Sequence, residues 1–70
     1  MSTIVKVIEV IAQSEKSWDD AVKNALEEVK KTVDDVKEIW VSGMKAIVEN
    51  GRIVEYRLTA KVSFVVKGRE

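Results

Sequence analysis

The chain contains no cysteine, no histidine and no proline in 70 residues. Without cysteine there is no disulfide and no zinc-thiolate site. Without histidine the commonest general base and the commonest neutral metal ligand are missing, and the nucleophilic thiol is missing too. Charge of one sign is also lacking: 12 basic residues balance 12 acidic ones. A basic footprint for DNA or RNA is therefore absent. No apolar run approaches the ~18–20 residues of a membrane span. The Met1-Ser2-Thr3-Ile4 start lacks the basic and apolar regions of a signal peptide. A soluble cytoplasmic protein is the expectation, with no nucleic-acid and no membrane partner.

Glycine is scarce, at three positions (Gly43, Gly51, Gly68), and none falls in a phosphate-loop spacing. Carboxylate pairs alone do not make an active site, so no catalytic residue is assigned and no enzyme activity is expected. Nothing divides the chain, which reads as one domain over 1–70. A domain this small buries a modest share of its surface and usually needs a staple. With disulfides and zinc excluded, association with other chains is the staple that remains.

Residues 4–12, IVKVIEVIA, are mostly β-branched and read as a strand. Either Val5, Val7 and Ile11 or Ile4, Ile8 and Val10 face the core; periodicity leaves both open. Ser17-Trp18-Asp19-Asp20 resembles a capping box, with aspartates at the positive end of a helix dipole. Trp18, Ala21, Val22, Ala25, Val29, Thr32, Val33 and Val36 recur at helical spacing, which predicts an amphipathic helix over 18–33, roughly 24 Å long. Strands follow at 38–48 and 53–66. Asn50-Gly51 between them is the strongest short-range hairpin signal, because a type I′ turn needs positive φ at both central residues.

A two-residue turn predicts the register. Val48 faces Ile53, Met44 faces Arg57, Trp40 faces Lys61 and Glu38 faces Ser63. One sheet face then carries Val41, Ile39, Ile47, Val54, Tyr56, Leu58, Ala60, Val62, Phe64 and Val66 and forms the helix-covered core. The other carries Glu38, Trp40, Met44, Glu55, Arg57, Thr59, Lys61 and Ser63. The predicted fold is α+β: a single β-α-β-β domain with a three-stranded antiparallel sheet wrapped on one helix. The last strand, at ~3.3 Å per residue, is about 45 Å long. One helix of half that length leaves apolar sheet uncovered, which marks an interaction surface.

Val5-Lys6-Val7-Ile8-Glu9-Val10-Ile11, Ala12-Gln13-Ser14, Ser17-Trp18-Asp19-Asp20-Ala21, Thr32-Val33 and Glu55-Tyr56-Arg57-Leu58 through Phe64 follow in an order and spacing that resembles the dodecins. The resemblance covers nearly the whole chain. It implies a homododecameric hollow shell that binds and sequesters a flavin, riboflavin or FMN. The alternative is a flavin-free shell with a structural, ion-binding or other small-molecule role. In flavin-binding members a tryptophan early in the second strand stacks on the ring, and a glutamine in the third binds its polar edge. Those positions fall on Glu38 and Arg57 here. Trp40 lies two residues on, upon the same face. Glu38, Trp40 and Arg57 are therefore the candidate ligand-binding residues, with no metal ligand assigned. Packing over Lys61 or against a neighbouring subunit is the competing role for Trp40, and ion pairing is the competing role for Glu38 and Arg57. Met44 reads as interface filler.

Overall fold

A computed structural model describes residues 3–67. Gly68 and the Met1-Ser2 start lie outside the described residues. The elements are β1 (Thr3–Ser14), α1 (Trp18–Lys30), β2 (Val36–Glu49) and β3 (Arg52–Lys67). They form one antiparallel sheet in the order β1-β3-β2, so β3 is central and the other two strands are edges. No helix among the described residues is long and apolar enough to cross a membrane.

The helix begins where Ser17 predicts. The Ser17 hydroxyl accepts from the Asp20 amide at 3.0 Å, satisfying one of the free N–H groups of the first turn. Its predicted end is corrected. α1 stops at Lys30, and its last turn tightens through Thr32 N–H and Val33 N–H, both donating to the Val29 carbonyl. The β-branched Thr32 and Val33 favour leaving the helix. Asp35 then takes a left-handed φ of 55° and turns the chain into β2; a short polar side chain tolerates that region.

Ala21, Ala25 and Val29 stack at four-residue spacing and are the buried stripe of α1. Ala21 and Ala25 meet Ala12, Leu58 and Ala60 of the sheet, flanked by Val10, Trp18, Val22, Ile39 and Val41. Alanine on both sides lets the helix sit close to β1 and β3. The register resolves the open face of β1. Ala12 pairs with Leu58, Val10 with Ala60, Ile8 with Val62 and Ile4 with Val66, so these lie on the helix side. Val5, Val7 and Ile11 lie on the other side and are exposed.

The hairpin turn is as predicted: Asn50 and Gly51 have φ of 53° and 74°. The rungs Val48–Ile53, Trp40–Lys61 and Glu38–Ser63 are also as predicted. The middle of the ladder is not. One irregularity between Ile47 and Val48 leaves Val54 as an extra residue on β3, and another between Val41 and Gly43 leaves Ser42 extra on β2. Between them the rungs are shifted by one: Ile47–Glu55, Ala46–Tyr56, Lys45–Arg57, Met44–Leu58 and Gly43–Thr59. The predicted Met44–Arg57 pair is thus corrected to Lys45–Arg57. Met44 moves to the helix side and Ile47 to the outer side, because directly opposed residues share a face. Ser42 secures its bulge by donating its hydroxyl to the Thr59 carbonyl at 3.2 Å.

Candidate site on the helix-free sheet face

The face away from α1 carries three parallel rows of side chains. From β3 come Glu55, Arg57, Thr59, Lys61 and Ser63; from β2, Glu38, Trp40, Lys45 and Ile47; from β1, Val7, Glu9, Ile11 and Gln13. No element among the described residues covers it.

Trp40 stands in an edge strand, and its residue is 59% exposed. It faces Lys61 across the ladder, and the Lys61 ammonium lies 5.1 Å from the ring centroid, a cation–π contact. The predicted packing over Lys61 is therefore present. Glu38 is two residues along β2, on the same face and exposed.

Arg57 lies four residues from Lys61 along β3, roughly 13 Å at ~3.3 Å per residue. The three predicted residues share a face, but Arg57 is not beside Trp40. Its guanidinium is already engaged: Nη2 donates to Glu55 Oε1 at 2.7 Å and Nε donates to Gln13 Oε1 at 3.1 Å. That Arg57–Glu55 ion pair is partly buried, with side-chain exposures of 35% and 24%. Sequence reasoning missed Gln13, because its place opposite Arg57 depends on the register of β1. It also missed Lys45, which only the paired bulges bring opposite Arg57.

At the base of the sheet a second polar cluster fixes the β1–α1 joint. Ser14 is buried, donates its hydroxyl to Asp20 Oδ2 at 2.6 Å, and accepts from the Lys16 amide at 2.9 Å. The Ser14 hydrogen bond holds the Asp20 carboxyl below its ordinary value; partial burial opposes this, and Lys16, Asn24 and Lys23 assist it. Nearby, Trp18 meets Tyr56 edge to face at 4.9 Å and donates Nε1–H to the Lys45 carbonyl at 3.4 Å. Trp18 is thus a packing anchor between helix and hairpin. Among the described residues, no group of three acidic side chains is close enough to hold a metal ion within one protomer.

Comparison with known proteins agrees with this architecture. The Dodecin family model matches residues 4–67. A curated relative, calcium dodecin from Mycobacterium tuberculosis, is 29% identical over 65 residues, spanning 93% of this chain and 92% of the relative. A crystal structure of that calcium-chelating antigen, described with a novel calcium-binding site, superposes with a TM-score of 0.80 at 28% identity, covering 96% of each chain. Dodecin from Streptomyces davaonensis shares the fold at a TM-score of 0.89 and 19% identity, covering 97% of this chain and all of that one. With its β-α-β-β order and single antiparallel sheet matched over 64 consecutive positions, 4 to 67, the chain belongs to the dodecin family.

Proposed function

We propose that the chain is one domain and the subunit of a closed homododecameric shell, cytoplasmic, that binds and stores a small planar ligand of the flavin type against Trp40. Its role is binding and storage, with no catalytic group assigned. The observation that carries the ligand reading is the exposed Trp40 ring on a helix-free sheet face. An aromatic ring half in water, in a strand that presents it rigidly, is a stacking platform. The shell reading is supported by geometry and family together. The protomer measures 57 × 19 × 13 Å, whereas the 13-residue helix is about 20 Å long at 1.5 Å per residue. Ile4, Val5, Val7, Ile11, Val48 and Ile53 are left exposed on one chain. An apolar surface of that extent is normally covered by symmetric association.

A second reading, a shell that holds calcium or another ion, has its own support. The relative that is 29% identical carries calcium in its name. Glu38 stands where flavin-stacking dodecins have tryptophan, and Arg57 is taken up by Glu55 and Gln13. Such a site would gather carboxylates from several copies about a symmetry axis.

Fluorescence titration of riboflavin and FMN with the assembled protein separates the two. Saturable quenching that Trp40→Ala weakens is the expected result. Absence of quenching at micromolar protein, together with calcium retained in native mass spectra, would replace the flavin reading with the ion reading. A particle of one or two chains in those spectra would overturn both.

A further inference from the structure

The tip of the β2–β3 hairpin is built from Asn-Gly, the dipeptide in which a side chain hinders attack by the following backbone nitrogen least. We propose that Asn50 is a site of spontaneous covalent modification, converting through a cyclic imide to aspartate and isoaspartate. The reaction needs an asparagine followed by an unshielded peptide nitrogen. Gly51 supplies it: both residues are exposed, and the space where a Gly51 side chain would stand holds nothing within 4 Å.

The Gly51 N–H is also free to react. The ladder closes on the Glu49–Arg52 rung, and a two-residue turn leaves the second turn amide outside that ladder. The tip is poorly held beyond that. Val48 and Ile53, the next rung, are both exposed, and the register breaks immediately behind them between Ile47 and Val48. A short stretch of ladder with no buried side chain opens locally at little cost. Opening matters, because the left-handed φ of 53° at Asn50 fixes the turn in one geometry and the attack requires another.

The chemistry balances with water alone. The Gly51 amide nitrogen loses its proton to solvent base and bonds to Asn50 Cγ. The Cγ–Nδ2 bond breaks and ammonia leaves. Water then opens the imide: at Cγ it gives aspartate, at the main-chain carbonyl it gives isoaspartate. Asp-Gly still suits a type I′ turn. Isoaspartate adds a methylene to the main chain, so the two-residue loop no longer matches the Glu49–Arg52 rung. Either product adds a negative charge beside Glu49.

The test is peptide-level mass spectrometry of the assembled, full-length protein aged at mildly alkaline pH. Labelling by isoaspartyl methyltransferase identifies the isomer. Asn24 is the internal control: it lies inside α1, donates to Asp20 Oδ2 at 3.4 Å, and precedes an alanine. The free hexapeptide Val48–Ile53 is the positive control. The expected result is loss of ammonia confined to Asn50, a mixture containing isoaspartate, and a rate that rises with hydroxide. An unaltered Asn50 after the hexapeptide has fully reacted would overturn the proposal. So would equal conversion at Asn24, or aspartate alone with no isoaspartate, since that product pattern excludes the cyclic imide.

Discussion

Lys61 holds its ammonium 5.1 Å from the centre of the Trp40 ring, directly across the β2–β3 ladder. An exposed cation–π contact of this kind contributes about 0.5–1 kcal/mol. Lys61→Met should therefore lower stability by about that amount at fixed protein concentration, read as a shift in urea midpoint. A double-mutant cycle with Trp40→Ala isolates the pair; a coupling energy of zero would show that the contact contributes nothing.

If the ring also carries the ligand, Trp40→Ala should weaken flavin binding by about 1–3 kcal/mol, roughly 5- to 150-fold in Kd. Arg57→Gln should have a smaller effect, since the Arg57 guanidinium is held by Glu55 and Gln13. Comparing the two dissociation constants by fluorescence titration checks the ranking.

Acid should loosen the β1–α1 joint. The Asp20 carboxyl is held below the 3.8 of an unperturbed aspartate, chiefly by the Ser14 hydroxyl. A folded-state value below the unfolded one stabilises the fold above the unfolded value, and that contribution is lost as pH falls through the folded value. Ser14→Ala should move the Asp20 titration, followed by carboxyl NMR, upward towards 3.8. An unchanged titration would mean that the hydroxyl is not the cause.

The two described glycines should respond oppositely. Gly51 has a φ of 74°, where an L side chain is strained, so Gly51→Ala should cost about 1–2 kcal/mol despite the open space around it. Gly43 has no positive φ, and a methyl group added there would meet no atom within 4 Å. Gly43→Ala should be neutral or stabilise by up to about 1 kcal/mol through the unfolded chain. Chemical denaturation of both variants checks the contrast in sign.

Ile11 is 70% exposed on the single protomer. A surface change on an isolated chain would alter stability by no more than about 0.5 kcal/mol. Inside a shell the same position is covered, so Ile11→Glu should disperse the assembly into small species in native mass spectra. Intact particles would remove this strand face from the interface.

The parts of the fold legible in the sequence are those that a local chemical rule fixes. Ser17 marks the helix start and Asn50-Gly51 the turn, and the turn sets the rungs nearest to it. The helix end was not legible, because Thr32, Val33 and Val36 keep helical spacing although the helix has already ended at Lys30. The face of β1 was not legible either, since both of its alternating sets are apolar. Packing decides it: Ala12, small enough to lie beneath Ala21 and Ala25, takes the helix side and carries Ile4, Ile8 and Val10 with it. The candidate site divides in the same way. Glu38, Trp40 and Arg57 share a face by simple alternation, whereas the Gln13 and Lys45 neighbours of Arg57 depend on long-range register.

The extra residues Val54 and Ser42 lie on opposite strands, so their offsets cancel. The five rungs from Gly43 to Ile47 are therefore offset by one position, while the rungs on either side keep the register that the turn sets. Deleting Ser42 alone would remove its bulge and leave every rung, Val41–Ala60 and Gly43–Thr59 included, with its present facing. Deleting Ser42 and Val54 together would give an unbroken ladder from Glu49–Arg52 to Glu38–Ser63, with Met44 still opposite Leu58 and Lys45 still opposite Arg57. Each of these two positions can thus lose its residue independently without turning any paired side chain to the other face.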